Sequence, residues 1–230
     1  MPQFRNTKLD KKTMKSVKGV IFDMDGVIVD NHHFHVLAWE EFCKKHNIDF
    51  EEQDFRANYF GKVNFDILTS LTGKSLSPEQ VETLGEEKES IYRRIYKDHI
   101  KPVHGLEVFL SLLKQNEVKI AVASSAPISN IDFVLDHLNF REYFDAIIDA
   151  SMVVKGKPDP EIYLKAIKAI DVHPTSCVVF EDSVSGIQSG LGAGAEVIAL
   201  LTTHSASELP KTSLQIKDFT DVRLIKFLNL

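Results

Sequence analysis

Two acids, Asp23 and Asp25, separated by the single residue Met24, stand directly after the apolar run Gly19-Val20-Ile21-Phe22 and directly before Gly26. Carboxylates spaced this way at the end of a strand can converge on one point in the turn. A second acidic pair, Glu181-Asp182, follows the run Cys177-Val178-Val179-Phe180. If the two runs are neighbouring strands, the pairs repel, at about 4 kcal/mol for like charges ~4 Å apart and an effective dielectric near 20. A divalent cation removes that penalty, and hard oxygen donors around an open position suit Mg²⁺. Asp23, Asp25, Glu181 and Asp182 are therefore the candidate metal-site residues, with Mg²⁺ the expected cofactor.

Ala123-Ser124-Ser125 ends a third apolar run. A hydroxyl and free backbone N–H groups there can hold phosphate oxygens, although serines after strands also serve as helix caps. Lys157-Pro158 precedes a helical pattern expected from about Asp159, with proline suited to the first turn. From that position Lys157 could bring its ammonium beside the acidic cluster.

The elements that must position these residues alternate in type. Besides the runs at 19–22 and 177–180, strands are expected at 118–123, 146–148 and 196–200. Leu106, Phe109, Leu110 and Leu113 fall at helical spacing, as do Ile131, Val134, Leu135 and Leu138, and then Ile162, Ala166, Ile167 and Ile170. Alternation of strand and helix predicts an α/β fold, a Rossmann-like parallel sheet core with helices on both faces. Ligands of such folds bind beyond the carboxyl ends of the strands, where all the candidate residues lie. Between about 31 and 100 the alternation stops. Val81, Leu84, Lys88, Ile91 and Ile95 recur three and four apart, as on one long amphipathic helix, and the run Glu86-Glu87-Lys88-Glu89 reads as its solvated face. The expected organisation is an extension at 1–17, a catalytic core at 18–30 and 101–230, and an inserted all-helical cap domain at 31–100.

Composition narrows the function classes. Hydrophobic residues at 43% and charged residues at 26% are those of an ordinary globular protein. A net charge of −6 gives no general attraction to nucleic acid or anionic membranes, so an anionic substrate must be drawn by a local positive site. No apolar run approaches the roughly 20 residues needed to span a bilayer. Cys43 and Cys177 fit no C-x-x-C pattern, and a reducing cytoplasm is the expected compartment. Arg5, Lys8, Lys11, Lys12, Lys15 and Lys18 come without the apolar stretch of a secretory signal. A monomer is the default expectation. Gly190-Leu191-Gly192-Ala193-Gly194 follows a helical pattern and precedes a strand, the reverse of the order a dinucleotide fingerprint requires.

The ordered set Phe22-Asp23-Met24-Asp25-Gly26-Val27, Ala123-Ser124-Ser125, Lys157-Pro158 and Glu181-Asp182-Ser183 resembles the four motifs of the haloacid dehalogenase superfamily. The resemblance covers nearly the whole chain from about residue 17, and the helical insert falls where that family carries its cap. Asp30, His35, Trp39 and the run Glu181-Asp182-Ser183-Val184-Ser185-Gly186-Ile187 are similar to the β-phosphoglucomutase-type branch. The resemblance implies Asp23 as nucleophile, Asp25 as general acid and base, Ser124 and Ser125 as phosphate ligands, and Lys157 as the cation that offsets the crowded charge. It implies Mg²⁺ held by Asp23, Asp182, Glu181 and the Asp25 carbonyl, and His35 as the residue that positions Asp25. Hard-oxygen chemistry leaves His32 and His33 no evident role as ligands.

An acid two residues after the nucleophile favours phosphate esters over haloacids, because a departing alkoxide needs a proton and a halide does not. The expected function is a Mg²⁺-dependent phosphatase acting on a small phosphorylated metabolite, a sugar phosphate by resemblance. The alternative is a β-phosphoglucomutase-type phosphomutase, and the alternative of another class is an inactive binding module on the same fold. A mutase needs cations for the phosphate that is not reacting. The lysine and arginine that serve there in the resembling family correspond to Phe60 and Asn64, neither of them cationic, although Lys62 is near enough to compensate.

Overall fold

The structure is a computed structural model and describes residues 17–59 and 62–230. Nearly all of the expected N-terminal extension, and Phe60, lie outside the described residues. Six strands form one parallel sheet: β1 (Gly19–Phe22), β2 (Lys119–Ala123), β3 (Ala146–Ile148), β4 (Cys177–Glu181), β5 (Glu196–Leu200) and β6 (Leu214–Ile216). Their order is β3-β2-β1-β4-β5-β6, so the chain reverses its direction of travel across the sheet beside β1. All four residues of β1 are buried, as its uninterrupted apolar run requires of a central strand. The edge strand β6 was not expected: Leu-Gln-Ile is too short a run to stand out from a loop.

Nine helices accompany the sheet among the described residues. Four of them, α1 (His32–His46), α2 (Glu52–Asn58), α3 (Asn64–Thr72) and α4 (Pro78–Tyr96), follow β1 with no strand between them. The others are α5 (Leu106–Gln115), α6 (Ile128–Leu138), α7 (Glu161–Ala169), α8 (Val184–Gly192) and α9 (Arg223–Leu228). Val20 and Phe22 of β1 join α5, α6 and α9 in one apolar cluster, whereas Ile21 joins α7 and α8 in another. Period-two alternation along a buried strand thus gives helices on both faces. The helical insert leaves and rejoins the core side by side, with the Val103 N–H donating to the Ile28 carbonyl at 2.9 Å.

Two local expectations are corrected. Helix α7 starts at Glu161 rather than near Asp159, because the Asp159 carboxylate accepts from the Glu161 N–H at 3.0 Å in a turn that precedes the helix. In α4 the run 86–89 is not a uniformly solvated face, since Lys88 and Glu89 are 2% and 3% exposed. A capping box of Ser77 and Gln80, with Pro78 in the first turn, starts this helix and sets which residues turn inward.

Candidate active site

β1 and β4 are hydrogen-bonded neighbours with Phe22 opposite Phe180. The residues that follow, Asp23 and Glu181, therefore emerge side by side at the carboxyl edge, as the repulsion argument assumed. The Lys157 ammonium lies between them, 2.7 Å from Asp23 Oδ1 and 2.6 Å from Glu181 Oε1. The second acidic pair is organised by its own turn. Glu181 Oε2 accepts from the Asp182 and Ser183 N–H groups at 2.8 and 2.9 Å and from the Ser183 hydroxyl at 3.0 Å, while Tyr163 donates to Oε1 at 2.9 Å. A Cβ at Gly186 would come within 1.6 Å of Glu181 Oε1, so only glycine lets the first turn of α8 approach this carboxylate.

Asp23, Glu181 and Asp182 offer oxygen atoms all within 4.8 Å of one another, an arrangement that could hold a hard cation. Burial, together with the nearby charges of Glu181, Asp182 and Asp25, pushes the Asp23 carboxyl well above its usual range despite the pull of Lys157. The Lys157 ammonium is itself held well above the ordinary lysine value, because Asp23 and Glu181 outweigh its burial. A divalent cation is the kind of group that would return Asp23 to its anionic form. Glu181 is the least available of the three, since its two oxygens already receive five hydrogen bonds.

Asp25 is treated differently by its surroundings. Burial would raise its pKa, but His35 and the hydrogen bond from Asn31 outweigh burial and hold it at about 2. Asn31 Nδ2 lies 2.5 Å from Asp25 Oδ1 and 2.6 Å from the Tyr92 hydroxyl. His35 Nε2 is 3.5 Å from the same Asp25 oxygen, and its Nδ1 is 2.9 Å from the Lys88 ammonium. An ammonium can only donate, so Nδ1 accepts and Nε2 carries the proton toward Asp25. Burial and Lys88 both hold the His35 pKa down, in keeping with a neutral ring. The ring stacks on Tyr92 with centroids 3.9 Å apart.

The remaining expected residues meet the same pocket, which Asp23, Asp25, His35, Lys62, Asn64, Ser124, Ser125, Lys157 and Asp182 all line. At Ser124 the backbone N–H is spent on Ile148 in the sheet and the hydroxyl oxygen accepts from Ala126 N–H at 3.1 Å, so its hydroxyl proton remains to donate. Asn64 gives its amide to Glu89 Oε1 at 2.9 Å. Lys62 is exposed at the rim, its ammonium 5.8 Å from the centre of the Tyr59 ring. Sequence reasoning missed Asn31, Lys88, Glu89, Tyr92 and Tyr163. Lys88 had a signal, since it falls in register with Val81, Leu84, Ile91 and Ile95 on the buried stripe. His32, expected to have no ligand role, bonds instead to Asp182 Oδ2 at 2.7 Å, and Thr203 donates to the same oxygen.

Residues 17–194 match the model of the haloacid dehalogenase-like hydrolases. The chain belongs to that family. This haloacid dehalogenase-like hydrolase is 29% identical to a validoxylamine A 7'-phosphate phosphatase of Streptomyces hygroscopicus subsp. limoneus, over 90% of the chain and 96% of the relative. It is 32% identical to a β-phosphoglucomutase of Bacillus subtilis, over 77% of the chain and 80% of the relative. Among solved structures, a family IA, variant 3 hydrolase of the same superfamily from Entamoeba histolytica superposes with a TM-score of 0.84 at 29% identity, covering 93% of this chain and 98% of that one. No helix among the described residues is long and apolar enough to cross a membrane.

Proposed function

We propose that the protein is a Mg²⁺-dependent phosphatase that hydrolyses a small phosphate ester, a sugar phosphate in particular, through an aspartyl-phosphate on Asp23. The observation that carries this reading is the placement of two carboxylates, two positions apart in the chain, in one pocket with different partners. Asp23 is clamped by Lys157 beside a second acidic pair, while Asp25 is held by Asn31 and His35 at the mouth of the same pocket. One is arranged to attack and the other to move a proton.

In the first step Asp23 attacks phosphorus and the ester oxygen leaves with a proton from Asp25. The negative charge of a bound phosphate raises the pKa of Asp25 and favours that protonated form. In the second step Asp25, ionised again, takes a proton from water as it attacks the aspartyl-phosphate. The Ser124 hydroxyl and Ser125 hold the transferring phosphoryl group, and Lys157 keeps Asp23 aligned. Asp23 and Asp182, with the Asp25 carbonyl, would hold Mg²⁺, while Glu181 anchors Lys157 and the β4–α8 turn. When bound, the cation supplies charge neutralisation for the carboxylates and the transferring phosphoryl group. The helical insert contributes part of the pocket lining, and residues 31–100 are proposed to act as the cap that excludes water and selects the substrate.

The phosphomutase reading keeps one observation in its favour, Lys62 at the pocket rim. Against it stands Asn64, which is uncharged and bonded to a carboxylate. The deciding experiment follows phosphate and glucose 6-phosphate from β-glucose 1-phosphate with Mg²⁺, with and without β-glucose 1,6-bisphosphate. Phosphate as the product supports the phosphatase, and faster formation of glucose 6-phosphate supports the mutase. Asp23→Asn should reduce turnover of any substrate by about 10⁴-fold or more while the circular dichroism spectrum is unchanged; retained turnover would overturn the nucleophile assignment.

A further inference from the structure

The part of the pocket wall that comes from the helical insert contains a buried ion pair. Lys88 and Glu89, adjacent on α4, are 2% and 3% exposed, and both line the pocket. The Lys88 ammonium is 3.0 Å from Glu89 Oε1 and sits 5.0 Å from the centre of the Trp39 ring. Glu89 is further fixed by two amides from separate elements, Asn64 at the start of α3 (2.9 Å to Oε1) and Asn130 of α6 (2.7 Å to Oε2). Burial alone would raise the pKa of Glu89, but Lys88, His35 and the two amides outweigh it and keep the carboxylate ionised. Among its buried residues the cap wall therefore holds one cation and one anion, whose charges cancel, and the exposed Lys62 at the rim is its other cation.

That balance discriminates between ligands. A second phosphate on a substrate offers only acceptor oxygens and up to two negative charges, so it needs donors and an uncompensated cation. Here it would meet a carboxylate and a lysine whose charge is already cancelled. A sugar hydroxyl, by contrast, can donate to a carboxylate oxygen. The exposed Lys62 is screened by solvent and cannot replace a buried cation.

We propose that Glu89 sets the substrate class, cancelling the charge of Lys88 so that the pocket accepts monophosphate esters with an uncharged, hydroxyl-bearing leaving group and rejects bisphosphates. This rests on the phosphatase reading of the site and deepens it. Glu89 acts in this proposal as a specificity-determining residue and takes no part in the transfer of the phosphoryl group.

The test measures phosphate release from paired substrates: β-glucose 1-phosphate with β-glucose 1,6-bisphosphate, fructose 1-phosphate with fructose 1,6-bisphosphate, and ribose 5-phosphate with ribose 1,5-bisphosphate. The readout is the ratio of kcat/KM for bisphosphate to that for monophosphate. Damage to the shared chemistry through His35 and Asp25 cancels in this ratio. The wild-type protein should favour the monophosphate by about tenfold or more, and Glu89→Gln should raise the ratio by a similar factor, since one unpaired charge is worth at least that much in a buried site. The double variant Lys88→Gln/Glu89→Gln, neutral again, should return the ratio to that of the wild type. If Glu89→Gln does not fold, Asn64→Lys, on the half-buried first turn of α3, should raise the ratio in the same direction. A ratio unchanged within about twofold in a folded Glu89→Gln, or in Asn64→Lys where Glu89→Gln fails to fold, would overturn the proposal. Absence of phosphate release by the wild type from every monophosphate would instead overturn the phosphatase reading itself.

Discussion

Two buried lysines line the pocket, each bonded to a buried glutamate. Lys157 joins Glu181 and Asp23 at the ends of β1 and β4, and Lys88 joins Glu89 and His35 on the helical insert. In the core the lysine is outnumbered, because three carboxylates crowd one edge and the shortfall of positive charge invites a divalent cation. In the insert the pair is balanced, the lysine orders a histidine, and no charge is left over. Similar residue types thus make two different settings, a charge deficit in the core, where chemistry is proposed, and a cancelled pair in the insert, where substrate selection is proposed.

The sharpest way to break this comparison is to remove the lysine of the core, and then the histidine that the lysine of the insert orders. Lys157→Met leaves Asp23 and Glu181 buried without their cation, and should cost about 3–5 kcal/mol in urea unfolding as well as essentially all activity. A stable, active Lys157→Met protein would mean that the core cluster does not depend on that charge. A smaller effect is expected one step from the chemistry. His35→Asn should lower kcat by about 10–100-fold and move the Asp25 carboxyl titration, followed by ¹³C NMR, upward from about 2. A fall in kcat with no movement of that titration would make His35 a packing residue rather than the group that positions Asp25.

The smallest effect concerns pH. Glu89 titrates below its usual 4.5 in the folded protein, so its stabilisation is present above about pH 4.5 and is lost as pH falls through the lower folded value. Glu89→Gln should therefore flatten the acid limb of the unfolding free energy below that pH, by less than about 1.4 kcal/mol per pH unit. An acid limb of unchanged slope would show that the pair in the insert carries no linked proton.

What could be read from the sequence followed the period of the apolar residues and the chemistry at the ends of the runs. The buried strands, the helices with i, i+3, i+4 stripes and the acids after β1 and β4 are local patterns, and a parallel sheet brings strand ends together by construction. Lys157 was legible for a weaker reason, its position within a set of motifs in a fixed order. The three-residue β6 was not legible, because it is a strand only through its pairing with β5. Nor was the Lys88–Glu89 wall of the pocket with the residues that hold it. Asn31, Lys88, Glu89, Tyr92 and Asn130 come from three separate segments, and in the linear chain Glu86-Glu87-Lys88-Glu89 reads as an ordinary solvated run.

The sequence by itself determined the fold class and the placing of Asp23 and Asp25 at one strand end, since these depend on periodicity and on residues within one turn of a strand end. Only the tertiary structure decided which charges are buried, which lysine is cancelled and which histidine nitrogen carries a proton. Those properties arise from desolvation and from partners that, the adjacent Lys88 and Glu89 apart, lie tens of residues away, and a pattern of residue types along one chain does not encode the distance between them.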